Sequence, residues 1–117
     1  MNMTSQEQSK IMEAARSLAA LFASSAIYRD YLQYKQALQD DPPLLERVKA
    51  FKEVQTDLEF KRINNGFVTF DEERRIAHQF TELSLHPVAG PFLTCEHSLL
   101  NLYRDVMDTI SEVCEIE

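Results

Sequence analysis

The segment YRDYLQYKQALQDDPPLLERVKAF, residues 28–51, decides the fold because it joins two long helical patterns through a double proline. Upstream of the prolines, apolar residues recur at three- and four-residue steps, which is the period of one helical face. A residue that precedes a proline is pushed out of the helical region, so we expect the first helix to end just before Asp40-Asp41-Pro42-Pro43, at about residue 39. Asp41 then caps a second helix with Pro42 at its first position, where the missing N–H costs nothing.

The same reasoning extends over the whole chain and predicts a single domain, residues 1–117, with four helices. Their approximate ranges are 5–39, 42–63, 71–85 and 91–114. Thr69 and Glu72 have the capping-box spacing that opens a helix, and Gly66 is a plausible stop for the helix before it. No alternating run is long enough for a strand, and 2 glycines and 4 prolines are few for the turns of a sandwich or barrel. The sequence therefore predicts an all-α bundle of antiparallel amphipathic helices.

Charge and cysteine usage indicate the compartment and exclude some partners. The formal net charge is −7, and acidic residues dominate the last positions of the chain: Asp105, Asp108, Glu112, Glu115 and Glu117. Such a surface repels phosphate backbones and anionic lipid, so we expect no direct nucleic-acid binding and no membrane association. No secretory leader is recognisable, and 2 cysteines without one indicate reduced thiols. We expect a cytoplasmic protein.

The length of the first helix predicts self-association. A helix over residues 5–39 is roughly 50 Å long, whereas a compact domain of this size is only about 35 Å across. Each bare Leu or Phe on the overhang forgoes about 1.5–3 kcal/mol. Either the helix breaks around Ser24 and Ser25, or a second copy covers the excess. Because neither glycine nor proline marks a break, we prefer a homodimer or higher homo-oligomer. We expect its interface to include Leu18, Phe22, Tyr28, Tyr31 and Leu32.

A carboxylate interrupts the apolar face of the last helix. We expect the core of the bundle to contain Phe51, Leu58, Leu99, Tyr103 and Val106. Glu96 lies in the same stripe as the last three, where an aliphatic residue would be usual. Burial of an unpaired charge is costly, so Glu96 either pairs with Lys52 or Arg104, or lies at the edge of the stripe and reaches water.

Two groups of polar residues contain side-chain types that can bind metal ions. His78, Glu82 and His86 are spaced i, i+4, i+8 on one helical stripe, and neighbouring chains could complete a metal shell there, with Glu96 as a further ligand. His86 precedes Pro87 at the helix end, so we prefer a solvated face and expect no cofactor. The adjacent residues Cys95, Glu96 and His97 fan out by about 100° per step on a helix, so they cannot converge on one ion.

Other chemical signatures are missing from the sequence. There is no glycine-rich phosphate loop and no Ser-His-Asp grouping, so we expect a protein that is not an enzyme. Cys95 and Cys114 are separated by about 28 Å along one predicted helix, far beyond the roughly 7 Å that a disulfide spans between Cα atoms. An intrachain disulfide is excluded if that helix is intact.

Two long segments carry a family resemblance: YRDYLQYKQALQDDPPLLERVKAFKEVQ and LHPVAGPFLTCEHSLLNLYRDVMDTISEV. Over roughly residues 10–113 the chain resembles the bacterial YlbF/YmcA family, in particular its YheA-like branch. The resemblance implies small all-α proteins of long antiparallel helices that form dimers or larger assemblies. It also implies non-enzymatic regulatory partners in competence, sporulation and biofilm control, some of which assist an RNA-processing endonuclease.

Some members of that family carry a cysteine-rich tail associated with an iron–sulfur cluster. This chain has 2 cysteines, fewer than the four thiolates that usually hold such a cluster. We therefore expect a self-associating interaction protein that docks onto other cytoplasmic regulatory proteins. The alternatives are a metal-binding helical bundle and an accessory factor of RNA processing.

Overall fold

Five helices follow one another in the computed structural model, which describes residues 4–115. They are α1 (Ser5–Ala23), α2 (Ala26–Gln39), α3 (Pro42–Ile63), α4 (Phe70–Ser84) and α5 (Ala89–Cys114). Within residues 4–115 there is no strand, so the expected all-α class is confirmed. The bounds of α3 agree with the prediction, whereas α4 and α5 each begin one or two residues earlier than expected.

Local side-chain hydrogen bonds explain where these helices begin. Thr4 and Glu7 form a complete capping box at the start of α1, and Thr69 and Glu72 form another at the start of α4. Asp41 accepts a hydrogen bond from the backbone N–H of Leu44 and thereby caps α3. Each cap satisfies a backbone donor that the first helical turn leaves without a partner.

The expected single helix over residues 5–39 is broken at Ser24 and Ser25, so our preference for an unbroken helix was wrong. Ser25 has an extended backbone (φ −72°, ψ 149°) and accepts a hydrogen bond from the N–H of Tyr28. Its hydroxyl also donates to the carbonyl of Phe22 at 2.7 Å. Serine side chains can replace helical hydrogen bonds in this way, so a helix can end and restart without glycine or proline.

The four helices from α2 to α5 meet in one apolar cluster, which we call the junction core. It consists of Leu38, Leu44, Val48, Phe51, Leu83, Ala89 and Phe92. Close approach of two backbones fixes the start of α5, because a Cβ added at Gly90 would clash with the carbonyl oxygen of Ser84. The turn between α4 and α5 can therefore be this tight only with glycine at position 90.

The chain is much more open than a compact domain of its size. Its radius of gyration is 18.8 Å, whereas a compact chain of this length has a value near 13 Å. Its principal extents are 54 × 38 × 19 Å. The junction core thus holds the helices together at one place, and long parts of several helices extend away from it.

Candidate interaction surface

Helix α1 presents an apolar stripe that the rest of the chain does not cover. Every residue of α1 except Phe22 is exposed, and its one substantial packing partner is the beginning of α2. The exposed stripe includes Ile11, Met12, Leu18 and Leu21, and Leu21 keeps 68% of its surface accessible. Most of the stability of a helix in a protein comes from packing of its apolar face, so a partner that covers the stripe would stabilise α1.

A second bare stripe lies on the C-terminal part of α5, residues 99–114, which we call distal α5. The first turns of α5 pack on α2, where the rings of Tyr31 and Phe92 stack at 5.5 Å between centroids. Distal α5 extends past that contact and exposes Leu100, Leu102, Tyr103, Met107, Ile110 and Val113. Its apolar period therefore continues beyond the surface that α2 can cover.

The total exposed surface of the chain is larger than that of a compact monomer of the same mass. The chain exposes 9319 Å², whereas a folded monomer of 13.5 kDa exposes about 6,500 Å². The excess is roughly 2,800 Å² per chain, or about 5,600 Å² for two chains, which is at the upper end of what obligate dimers bury in total. One chain therefore exposes far more surface than a compact monomer of its mass.

The residues expected at an interface fall into two groups. Leu18 and Leu32 are exposed and stand free of the core. Phe22, Tyr28 and Tyr31 are half-buried. The ring of Tyr31 stacks on Phe92 and lies 6.2 Å from the ring of Tyr28. Tyr31 thus packs against the junction core of its own chain.

The residues expected in the core differ in how far the structure buries them. Phe51 is part of the junction core, and Leu58 is buried between α3 and α4. Leu99 and Val106 are half-buried on α5. Tyr103 does not lie in the core, because it belongs to distal α5, where no other helix of the chain covers it; its exposure is 61%.

Glu96 has a specific partner on another helix. The Nζ of Lys52 donates to a carboxylate oxygen of Glu96 at 2.7 Å and thereby links α3 to α5. The Glu96 side chain is 19% exposed, and the same ammonium group lies 6.0 Å from the centre of the Phe92 ring. The carboxylate in the apolar stripe is therefore matched by a cation, as one of the two expected arrangements requires.

The histidines on α4 and in the following turn have local structural roles. His78 Nε2 lies 3.0 Å from a carboxylate oxygen of Glu82. His86 Nδ1 accepts hydrogen bonds from the backbone N–H groups of Val88 and Ala89 at 3.0 and 3.3 Å, and so caps the start of α5. Across residues 4–115, no three His, Cys, Asp or Glu side chains are grouped closely enough to hold a metal ion.

A groove runs between α3 and α4, with a cavity volume of about 200 Å³. Phe51, Leu58, Ile76 and Phe80 line its floor and walls. The charged residue Arg62 at its rim bonds to Glu73 across the two helices at 3.2 Å. The polar residues Gln55 and Glu59 also line the groove, so it offers apolar contact with a polar edge.

The comparison with known families decides the assignment. The model of a family described as "Control of competence regulator ComK, YlbF/YmcA" matches residues 11–113. The chain belongs to the YlbF/YmcA family. This confirms the resemblance found in the sequence. Among curated proteins, this YlbF/YmcA member is similar to UPF0342 proteins from three bacteria.

The relatives of this YlbF/YmcA protein are distant but collinear with it. A UPF0342 protein of Caldicellulosiruptor saccharolyticus is 24% identical over 107 residues, which cover 92% of this chain and 89% of the relative. A UPF0342 protein of Desulfitobacterium hafniense is 24% identical over 102 residues, which cover 87% and 82% respectively. No solved structure matches the chain.

Two further observations describe this YlbF/YmcA protein. Cys95 and Cys114 both lie on α5 as free thiols, and burial raises the pKa of the Cys95 thiol, with a further contribution from the negative charge of Asp30. A raised pKa makes a thiol less reactive. None of the helices in residues 4–115 combines the length and apolarity needed to cross a bilayer.

Proposed function

We propose that this protein is a non-enzymatic regulatory protein of the bacterial cytoplasm that self-associates and acts through protein–protein contacts. The observation that carries the proposal is the bare apolar stripe of α1. A helix with one half-buried residue and the exposed apolar residues Ile11, Leu18 and Leu21 gains stability when a partner covers those side chains.

A second copy of the chain is the simplest partner for this stripe. The excess surface of roughly 2,800 Å² per chain is what a large homodimer interface would remove from water. The regulatory role rests on the family, whose description names control of a competence regulator. The surfaces that remain after self-association, such as the groove between α3 and α4, would then be available to other regulatory proteins.

Co-purification of two differently tagged copies tests self-association. We expect an affinity-tagged chain to retain an untagged wild-type chain, and Leu18→Asp in both copies to abolish the retention, because a charge in an apolar interface is costly. Ser9→Asp is the matched control, since Ser9 lies half a turn around α1 from Leu18. Retention that survives Leu18→Asp would contradict a role of the α1 stripe, and no retention of wild type would contradict self-association itself.

A further inference from the structure

We propose that α1 of one copy packs on distal α5 of a second copy, and that two-fold symmetry repeats this contact. The inference rests on the proposed self-association and adds which helix covers which. The result is a seam of four helices, two from each chain, in which both bare stripes are covered.

The two stripes match in length and character. Helix α1 has 19 residues and is about 28 Å long, and distal α5 is about 24 Å long. Both present aliphatic side chains at helical spacing, with Leu18 and Leu21 on α1 facing the outside of the chain as Met107 and Ile110 do on α5. Apolar stripes of similar length can pack ridges into grooves over several helical turns.

Charge favours α1 over a second distal α5 as the occupant. Distal α5 carries Asp105, Asp108 and Glu112 against Arg104, so pairing two of these segments would bring together two helices that each have a net charge of −2. Helix α1 has no net charge, and it supplies Lys10 and Arg16. None of the ion pairs formed within residues 4–115 uses a charged side chain of α1 or of distal α5, so these groups are available to a partner.

Symmetry and surface area favour the crossed contact over pairing of α1 with α1. If two α1 helices packed on each other, the stripes of both distal α5 segments would remain in water. The crossed arrangement covers all four stripes and closes the assembly at two copies. It also accounts for both sources of the roughly 2,800 Å² of excess surface on each chain.

A complementation experiment tests the crossed contact. One variant carries Leu18→Asp and Leu21→Asp on α1, and the other carries Met107→Asp and Ile110→Asp on distal α5. A crossed homodimer of either variant loses both of its contacts. A mixed dimer loses only one contact, because the damaged α1 of one chain packs on the damaged distal α5 of the other. The second contact, between the intact α1 and the intact distal α5, is kept.

Native mass spectrometry of the separate and mixed variants gives the readout. We expect the dissociation constant of each variant homodimer to rise at least about 100-fold over wild type, and the mixture to form a dimer of one chain of each kind. Ser9→Asp, half a turn around α1 from Leu18, and Glu112→Gln, on the face of distal α5 opposite Ile110, serve as controls and leave dimerisation unchanged. The helical circular-dichroism signal of each variant verifies that the junction core is folded.

Each other result overturns the crossed contact. A distal α5 variant that dimerises alone indicates pairing of α1 with α1, and an α1 variant that dimerises alone indicates pairing of distal α5 with distal α5. If wild type dimerises and neither the variants nor their mixture does, all four helices share one indivisible contact and the crossed assignment is wrong. A monomeric wild type instead removes the proposed self-association on which this inference rests.

Discussion

The junction core and the two bare stripes have similar apolar composition but opposite surroundings. Leu38 in the junction core is 1% exposed, and it is surrounded by residues of α3 and α5. Leu21 on α1 is 68% exposed although it follows the same helical period. Periodicity therefore identifies which face of a helix is apolar, whereas contacts with the other helices determine whether that face is covered within one chain.

The first and largest test compares these two leucines. Leu38→Ala should lower the free energy of unfolding by about 2–5 kcal/mol at any protein concentration, because it opens a cavity inside one chain. Leu21→Ala should change stability by less than about 0.5 kcal/mol in dilute protein, where its side chain is in water. At high concentration it should cost more, because the interface is then populated. Urea unfolding at nanomolar and at high micromolar concentration makes the comparison. A Leu21→Ala effect that does not depend on concentration would contradict the distinction.

A second test concerns the closest backbone contact beside the junction core. Gly90→Ala should destabilise the chain by about 1–3 kcal/mol, because the added Cβ meets the carbonyl oxygen of Ser84, a backbone atom that cannot rotate away. Gly66→Ala is the comparison and should cost less, since its Cβ would lie 3.0 Å from the carbonyl oxygen of Lys61, a tight contact but a longer one, and the positive φ of that turn belongs to Asn65. Thermal unfolding of both variants measures the difference. Equal melting temperatures would show that the turn between α4 and α5 is looser than described.

A third test removes the ion pair that links α3 to α5. Lys52→Met should cost about 1–2 kcal/mol, because it leaves the Glu96 carboxylate without its cation in a half-buried position. Changing Glu96→Leu as well should restore most of the loss, since apolar replacement of both members of a pair is close to neutral. A double-mutant cycle by urea unfolding gives the coupling. If the single and double variants lose the same free energy, the pair contributes through packing of the Lys52 side chain alone.

The smallest effect concerns the capping box at the start of α4. Hydrogen bonds from Lys61 and Thr69 hold the pKa of Glu72 below its usual value. A carboxyl group with a lowered pKa stabilises the folded state when it is ionised, and this contribution disappears as pH falls through that pKa. Glu72→Gln should therefore lower the urea midpoint slightly near neutral pH and not at about pH 3. An equal loss at both values would assign the effect to helix geometry instead of charge.

Much of the fold could be predicted because its signals are local. Asp41 and Pro42 specify the start of α3, and the Thr69 capping box specifies the start of α4, through atoms within four residues of each other. The break at Ser24 and Ser25 was one of two alternatives and was not preferred, because serine both continues and caps helices and the residue alone does not decide between the two.

The candidate site was less predictable because it depends on contacts between segments that are distant in the sequence. The stripe on α1 was recognised from its length, but the exposure of Tyr103 depends on where α2 ends relative to α5, which is a relation between distant segments. Likewise, the sequence offered Lys52 and Arg104 as partners for Glu96, and only the placement of α3 beside α5 selects Lys52. Spacing along one helix thus predicts faces, while contacts between helices need the three-dimensional arrangement.

The central claim is that a second copy covers the surfaces which one chain leaves bare. Sedimentation equilibrium of the wild-type protein at micromolar concentration tests it most directly. We expect a single species with a mass of roughly twice 13.5 kDa. A species of 13.5 kDa that persists as the concentration is raised would contradict it.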